Sequence, residues 1–385
     1  MKRIINDNYT LGYIEGYYGK LLNWEDRKRI IKSLQKNKMN TYFYAPKEDK
    51  NHRLQWRKKY STEWRVHFRD FVKYSLKNKV NVIAGIAPGL DFNFEDFTNK
   101  NSESTFLFDK AKQLLDDGAR SIVLLLDDIP NNFEENFGTN KSEGKHHAIL
   151  ANHLSKELGS NIYFVPRVYA DELIKDSPNY LKDLSKNLNP DIKVFYCGKN
   201  VVSQTLKSYS KINKILSNEI IFWDNYYAND YCPRRLFVGP YTGRQNLKNI
   251  MINPTGLINT DLMILDIVGN STIHKFSKYK WNQILENHGV PQAFNNIKRF
   301  FSKPDFGSKP LLISIKYKDN YIDALDFLLW KWKSDLSREW YPYIFGLKQD
   351  LQLNQKILTY DRLIKTQTIP LSKYISKNLI KGELL

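Results

Sequence analysis

Ser121-Ile122-Val123-Leu124-Leu125-Leu126-Asp127-Asp128-Ile129-Pro130 is an apolar run of strand length that stops abruptly at two adjacent carboxylates. An unbroken run of branched aliphatics, rather than an alternating one, suits a parallel strand covered on both faces. Carboxylates at the C-terminal end of such a strand sit where α/β enzymes keep their chemistry. Two acids this close do not both ionise cheaply, so one pKa is expected to rise while the other stays low. That equips the pair for proton transfer. Capping a following helix and holding a divalent metal are the competing uses of the same side chains.

Outward from this strand, short apolar runs alternate with amphipathic stretches. The pattern predicts strands over Tyr9–Ile14, Thr41–Ala45, Asn81–Ala87, Asn161–Val165, Asp191–Tyr196, Glu219–Trp223 and Asn249–Ile252. Helices are expected over Trp24–Asn37, Trp64–Lys77, Thr105–Asp116, His146–Leu158, Tyr180–Leu188, Ser203–Leu216 and Leu262–Val268. Eight such βα repeats in about 260 residues are what a (β/α)8 TIM barrel needs. A doubly wound sheet is the alternative, but no Gly-x-Gly-x-x-Gly opens a helix after a strand. Beyond about residue 270 the rhythm stops, and Tyr321–Leu336 and Asp350–Ile364 read as helices. The expected organisation is an α/β catalytic barrel over 1–268, followed by a smaller, mainly α-helical C-terminal domain over 269–385. The aromatic stretches Leu328–Trp332 and Trp340–Tyr343 fit the core of that domain, with a sugar-stacking surface or a dimer contact as the alternatives.

Composition narrows the function classes. Of 385 residues, 42% are hydrophobic and 14% aromatic, far above a disordered chain. No stretch approaches the roughly 20 apolar residues of a membrane span. The opening Met1-Lys2-Arg3-Ile4-Ile5-Asn6-Asp7 lacks the apolar core of a signal peptide, so cytoplasmic residence is the expectation. Cys197 and Cys232 are the only cysteines, which excludes a disulfide scaffold and leaves reduced thiols or a single bridge. A net charge of +18 attracts polyanions, yet the lysines are dispersed and no basic run interleaves with aromatics. A solvated lysine-rich face is therefore expected rather than a nucleic-acid site. His146, His147 and His153 share one predicted helix without an acidic partner at zincin spacing, so neither a metal nor a cofactor is expected.

The other strand ends also carry polar chemistry. They read Glu15-Gly16-Tyr17-Tyr18-Gly19, Ala45-Pro46-Lys47-Glu48-Asp49, Trp223-Asp224-Asn225 and Asn253-Pro254. Amides and carboxylates bind hydroxyl groups in pairs, while an aromatic wall stacks on a pyranose ring. Asp, Asn, Lys, Tyr and Trp converging on one barrel face make a sugar site.

These motifs are also recognisable. Gly12–Gly19, Asn40–Lys47, Asp127-Asp128-Ile129, Trp223-Asp224-Asn225, Ala228-Asn229-Asp230-Tyr231, Leu236–Tyr241 and Asn253-Pro254 together resemble the O-GlcNAcase family, glycoside hydrolase family 84, across residues 11–268. The resemblance implies a retaining exo-β-N-acetylglucosaminidase that works by substrate-assisted catalysis and needs no metal. It implies that Asp127 orients the 2-acetamido group and that Asp128 is the general acid and base. Gly16 and Lys47 are implied to meet sugar hydroxyls, Asp230 and Asn253 the far hydroxyls, and Asn225 to hold the site around the reacting sugar. Trp223 is implied in the wall near the acetamido methyl and Tyr169 at the acetamido oxygen. The implied partner is a GlcNAc-containing glycan or glycoprotein, including O-GlcNAc on protein Ser/Thr. A hyaluronidase-like hexosaminidase and a catalytically retired glycan-binding barrel are the alternatives. A homo-oligomer stays open, since eukaryotic relatives dimerise through helices beyond the barrel. Three positions depart from the family pattern: Lys20-Leu21-Leu22 after the first motif, Arg167-Val168 before Tyr169, and Cys197 before Gly198.

Overall fold

A computed structural model describes residues 9–95, 97, 102–206, 212–244, 247–273, 278–304 and 318–354. Eight parallel strands close on themselves in sequence order: β1 (Thr10–Glu15), β2 (Thr41–Tyr44), β3 (Asn81–Ile86), β4 (Ser121–Leu125), β5 (Tyr163–Val165), β6 (Lys193–Tyr196), β7 (Ile220–Asp224) and β8 (Asn249–Ile252). Closure pairs Thr10 with Asn249 and Tyr13 with Ile252. The fold is a (β/α)8 barrel. Gly12 is required where β1 meets β2, because a Cβ there would lie 1.8 Å from the Thr41 carbonyl oxygen.

Both faces of the strands are buried, which is why they read as continuous apolar runs. Ile14, Phe43, Ile83, Val123, Leu125, Val165, Phe195, Ile221, Trp223 and Met251 fill the barrel interior. Their strand neighbours Tyr13, Tyr42, Val82, Ile122, Leu124, Phe164, Val194, Phe222 and Ile250 point outward and meet the helical layer. That layer begins with α1 (Trp24–Lys36), α2 (Thr62–Lys77) and α3 (Glu103–Asp116). Asn23 caps α1 by accepting from the Asp26 amide at 2.8 Å, and Ser61 caps α2 on Trp64 at 3.3 Å. A one-turn helix α4 (Phe133–Phe137), absent from the sequence reading, precedes α5 (Glu143–Leu158), which Gly159 closes in the left-handed region at φ 60°. Helix α6 (Tyr180–Asn187) follows.

Two predicted helices are corrected. Among the described residues of Ser203–Leu216 only α7 (Ile212–Ile215) is helical; residues 207–211 lie outside the described set. Ser203 sits in a turn instead: its hydroxyl accepts from the Asn200 amide at 3.0 Å and donates to the Asn200 carbonyl at 2.8 Å. Such local serine bonding competes with helix formation. Tyr321–Leu336 is not one helix but the end of α11 (Lys318–Trp330) and the start of α12 (Asp335–Asn354). The break falls at Lys331–Ser334, where the Lys331 and Trp332 amides share the Phe327 carbonyl and the Ser334 hydroxyl accepts from the Ser337 amide at 3.0 Å. The predicted helix Asp350–Ile364 coincides with the tail of α12 up to Asn354, and its remainder lies outside the described residues.

The closing barrel helix α8 (Ile258–Ile273) runs past residue 268 and carries the C-terminal region on its flank. Helices α9 (Lys278–Asn287) and α10 (Phe294–Ile297) follow it. Glu339 of α12 accepts from the Asn259 amide at 2.9 Å and from the Thr260 amide and hydroxyl at 2.8 and 2.7 Å. A carboxylate there satisfies free amides at the positive end of α8. Trp340 and Trp332 are buried, whereas Trp330 and Tyr341 are 53% and 41% exposed, so the aromatic stretch divides between core and surface. Among the described residues no helix is long and apolar enough to cross a membrane.

Candidate active site

The C-terminal ends of the strands enclose a cavity of about 900 Å³, and all nine residues singled out in the sequence line it. Gly16 follows β1, Lys47 follows β2, Asp127 and Asp128 follow β4, and Tyr169 follows β5. Trp223 lies in β7, Asn225 follows it, Asp230 is on the β7–β8 loop and Asn253 follows β8. A Cβ on Gly16 would lie 2.7 Å from the Trp223 ring, so the glycine is what lets the indole close the cavity floor.

Neighbouring residues on an extended chain point to opposite faces. Asp127 and Asp128 nevertheless reach one cavity, because Asp128 leaves the strand direction with φ +53°. A non-glycine residue in that region costs on the order of 1–2 kcal/mol, a strain typical of functional sites. Asp127 is 7% exposed, and its Oδ2 accepts from Lys47 Nζ at 2.7 Å. Lys47 Nζ is also 3.7 Å from Asp128 Oδ2. Asp128 accepts from Tyr169 at Oδ1 (2.8 Å) and from Tyr18 at Oδ2 (2.9 Å). Arg53 donates to the Asp128 backbone carbonyl at 2.8 Å and to the Tyr18 hydroxyl.

These contacts split the two acids. Burial raises the Asp127 carboxyl, Lys47 opposes it and the Asp128 charge adds to it, leaving Asp127 above the ordinary range. Burial also pushes Asp128 up, but Lys47, the Tyr169 and Tyr18 hydroxyls and Arg53 outweigh it and hold this carboxyl below that range. Asp128 is thus the more acidic member of the pair.

Behind the acids, Asn225 organises the far wall. Its Oδ1 accepts from Trp223 Nε1 at 2.9 Å and from Asn253 Nδ2 at 3.0 Å, while its Nδ2 donates to the Val201 carbonyl at 3.0 Å. Asp230 accepts the Tyr18 and Tyr231 amides at 3.1 and 3.0 Å, tying the β7–β8 loop to the first motif. Among the described residues, Asp127 Oδ1 and Asn253 Oδ1 are buried without a hydrogen-bond partner. Unsatisfied buried acceptors call for an explanation, and at a cavity wall the simplest is a ligand donor.

Two buried ion pairs brace this shell. Beneath Gly16, Arg27 forks onto Glu15 with both bonds at 2.9 Å, and Tyr42 donates to the same carboxylate. Next to Asn225, Asp224 accepts Arg244 at 2.8 and 2.9 Å and Tyr241 at 2.6 Å. Arg244 also donates to the Ser203 and Gln204 carbonyls, which fixes the loop after β6 as a wall of the cavity.

The departures from the family pattern have structural accounts. Arg167 pairs with Glu143 at 2.5 Å on two nitrogens, and its amide donates to the Tyr180 hydroxyl at 3.1 Å, so the chain leading to Tyr169 is anchored to α5 and α6. Lys20 donates to the Thr255 carbonyl at 3.0 Å. Cys197 is a buried free thiol, and Asn225 Nδ2 lies 3.6 Å from its sulfur. Cys232 is also free. His147 is buried with Nδ1 2.8 Å from the Tyr180 hydroxyl, and His146 Nδ1 lies 2.8 Å from the Ser142 carbonyl. Among the described residues no group of three or more His, Cys, Asp or Glu is placed to hold a metal ion.

Sequence reasoning missed Tyr18 and Arg53. Tyr18 lies inside the first strand-end motif, Glu15–Gly19, so proximity to Gly16 was the available signal. Arg53 sits on the β2–α2 loop, six residues beyond Lys47, where no strand-end rule reaches it.

A buried ammonium, the Asp127, Asp128 and Asp230 carboxylates, the Asn225 and Asn253 amides and a tryptophan around one cavity suit a ring with many hydroxyls and an amide substituent. Comparison with known proteins agrees. The profile of the NAGidase family, described as beta-N-acetylglucosaminidase, matches residues 11–303. The chain is 35% identical over 260 residues to Protein O-GlcNAcase of Rattus norvegicus and, to the same extent, of Mus musculus. The aligned region is 64% of this chain and 28% of each relative, so the chain matches little more than a quarter of their length. On this match across the whole barrel, the chain belongs to the beta-N-acetylglucosaminidase family of glycoside hydrolases.

Proposed function

We propose that the protein removes terminal β-linked GlcNAc, including O-GlcNAc on protein serine and threonine, with retention of configuration and through an oxazoline intermediate. The observation that carries this reading is Asp127, a residue of the cavity lining whose Oδ1 is buried without a hydrogen-bond partner while Lys47 holds the other oxygen. It is an acceptor waiting for an N–H. The acetamido N–H of a bound GlcNAc supplies one. That bond steers the amide oxygen beneath the anomeric carbon and stabilises the positive charge that develops on nitrogen.

Ordinary retaining glycosidases set a nucleophilic carboxylate about 5 Å across the sugar from the acid. Asp127 and Asp128 instead follow one strand and share Lys47, an arrangement suited to steering and proton transfer rather than to attack from opposite faces. In the first step the acetamido oxygen bonds to C1, the C1–O bond to the aglycone breaks, and the leaving oxygen takes its proton from Asp128. In the second step Asp128 takes a proton from water, which attacks C1 and reopens the oxazoline to the acetamide. An intramolecular nucleophile of this kind gains from proximity, with effective molarities up to about 10⁵–10⁸ M.

A general acid must first carry a proton, and the contacts around Asp128 hold its carboxyl below the ordinary range. Substrate binding reverses this. The sugar displaces water, and the Tyr169 hydroxyl turns from Asp128 to the acetamido oxygen. Both changes raise Asp128, so the acid is armed by the ligand it serves. The similarity to the rodent Protein O-GlcNAcases supports the protein-bound substrate. The test compares an aryl β-N-acetylglucosaminide with the matching aryl β-glucoside. Turnover of the first and a rate at least ~10³-fold lower on the second are expected, because only the first carries its nucleophile. Comparable rates overturn the proposal.

A further inference from the structure

Asp128 occupies a strained backbone conformation, and something in the fold must hold it there. Arg53 touches both its main chain and one of the two hydroxyls that donate to its carboxylate. One nitrogen of this guanidinium donates to the Asp128 carbonyl at 2.8 Å, and another donates to the hydroxyl of Tyr18. The guanidinium also lies 5.7 Å from the centroid of the Tyr18 ring. Tyr18 in turn donates to Asp128 Oδ2 at 2.9 Å. A triangle results: arginine to backbone, arginine to phenol, phenol to carboxylate. A single planar fork fixes the start and the end of the Asp128 side chain at once.

The geometry points to Arg53 as the positioning residue of the general acid, holding Asp128 turned back into the cavity and aiming the Tyr18 hydroxyl at its Oδ2. This inference rests on the reading of Asp128 as the acid.

Its physical content is specific. Without Arg53, the peptide after Asp128 loses the charged donor that offsets a left-handed φ of +53°, and relaxation of that peptide swings the carboxyl away from the leaving oxygen. Tyr18 is 42% exposed, and without the arginine its hydroxyl is free to turn to solvent. The loop bearing Arg53 is itself anchored. Asp49 accepts the Tyr44 and Tyr60 hydroxyls at 2.6 and 2.9 Å, and Lys110 donates to the Asn51 carbonyl at 2.8 Å. The arginine therefore stands on a fixed platform, and its loss perturbs the acid more than the surrounding fold.

Arg53→Met, Arg53→Lys and Tyr18→Phe are compared with the parent on two aryl β-N-acetylglucosaminides, one with a good leaving group and one with a poor one. Protonation of the leaving oxygen matters only for the poor one. Arg53→Met is expected to lower kcat/KM on the poor leaving group by about 10²-fold and on the good one by less than about fivefold, with KM for the good one little changed. Arg53→Lys recovers part of the loss, since an ammonium replaces one bond of the fork but not both. Tyr18→Phe, which deletes a single oxygen and leaves packing intact, shows the same leaving-group bias at smaller size. Equal losses on both substrates, with lysine no better than methionine and no bias in Tyr18→Phe, overturn the inference. Asp128→Asn run beside them separates the two claims. If it too lacks the bias, the assignment of Asp128 has failed; if it shows the bias while the arginine variants do not, only the role of Arg53 has.

Discussion

Asp128→Asn is expected to lower kcat/KM by about 10²–10⁴-fold on substrates with poor leaving groups, the usual worth of a positioned general acid. With an activated aryl leaving group kcat/KM is expected to stay near the parent value, because departure of that group needs no proton. Its kcat still falls, since the same carboxylate must deprotonate water in the second step. The descending limb of the pH profile also disappears on poor leaving groups, because asparagine has no proton to lose as pH rises. Asp127→Asn behaves differently. It is expected to cost about 10²–10³-fold on both substrates alike, as losing one preorganised electrostatic contact does, since the acetamido group must attack whatever leaves. The double variant falls short of the product of the two losses, because the residues act on one transition state. Steady-state kinetics on the two aryl glycosides measure all of this. Equal sensitivity to the leaving group in both single variants contradicts the division of labour.

The second large effect is on stability. Arg27→Met is expected to destabilise the fold by about 3–5 kcal/mol, the cost of stranding one member of a buried ion pair. Glu15 is 0% exposed and Arg27 3%, and the guanidinium lies 4.5 Å from the Trp24 ring centroid and 5.0 Å from that of Tyr44. No water reaches Glu15 to replace the lost fork. Removing both charges together, in Glu15→Gln with Arg27→Met, is expected to recover most of the loss, because the neutral amide still accepts from Tyr42. Urea unfolding at neutral pH gives the comparison. A cost below about 1 kcal/mol in Arg27→Met is what a solvent-exposed pair gives, and it contradicts this description of the pair.

How much of this was legible in advance follows from what each residue depends on. The strands were legible because burial on both faces writes an aliphatic run directly into the chain, as in Ser121–Leu125. Asp127 and Asp128 were legible because they interrupt such a run, and Lys47 and Asn253 because they follow strands in motifs shared with a known family. The φ of +53° at Asp128 was not, since nothing local demands it; a contact from Arg53, 75 residues away, sustains it. Ser203–Leu216 reads as a helix because Leu206, Ile212, Ile215 and Leu216 imitate helical spacing, yet Ser203, Gln204 and Thr205 belong to the cavity wall formed by residues 199–205. The course of that wall depends on the Ser203 hydrogen bonds, on Glu172 accepting the Val201 amide at 2.6 Å, and on Arg244 reaching across from the β7–β8 loop. Tertiary bonds of this kind leave no periodic trace. The order of charge in the acid pair was hidden for the same reason, since Tyr18 and Tyr169 reach Asp128 from two other strand ends.

The most direct measurement uses aryl glycosides whose N-acetyl methyl carries zero, one, two or three fluorines. Each fluorine withdraws electron density from the amide oxygen while changing the size of the group little. If that oxygen is the nucleophile, log kcat/KM falls steadily along the series and the trifluoro substrate is turned over orders of magnitude more slowly than the parent. A flat series shows that the attacking atom belongs to the protein or to water, and contradicts the account.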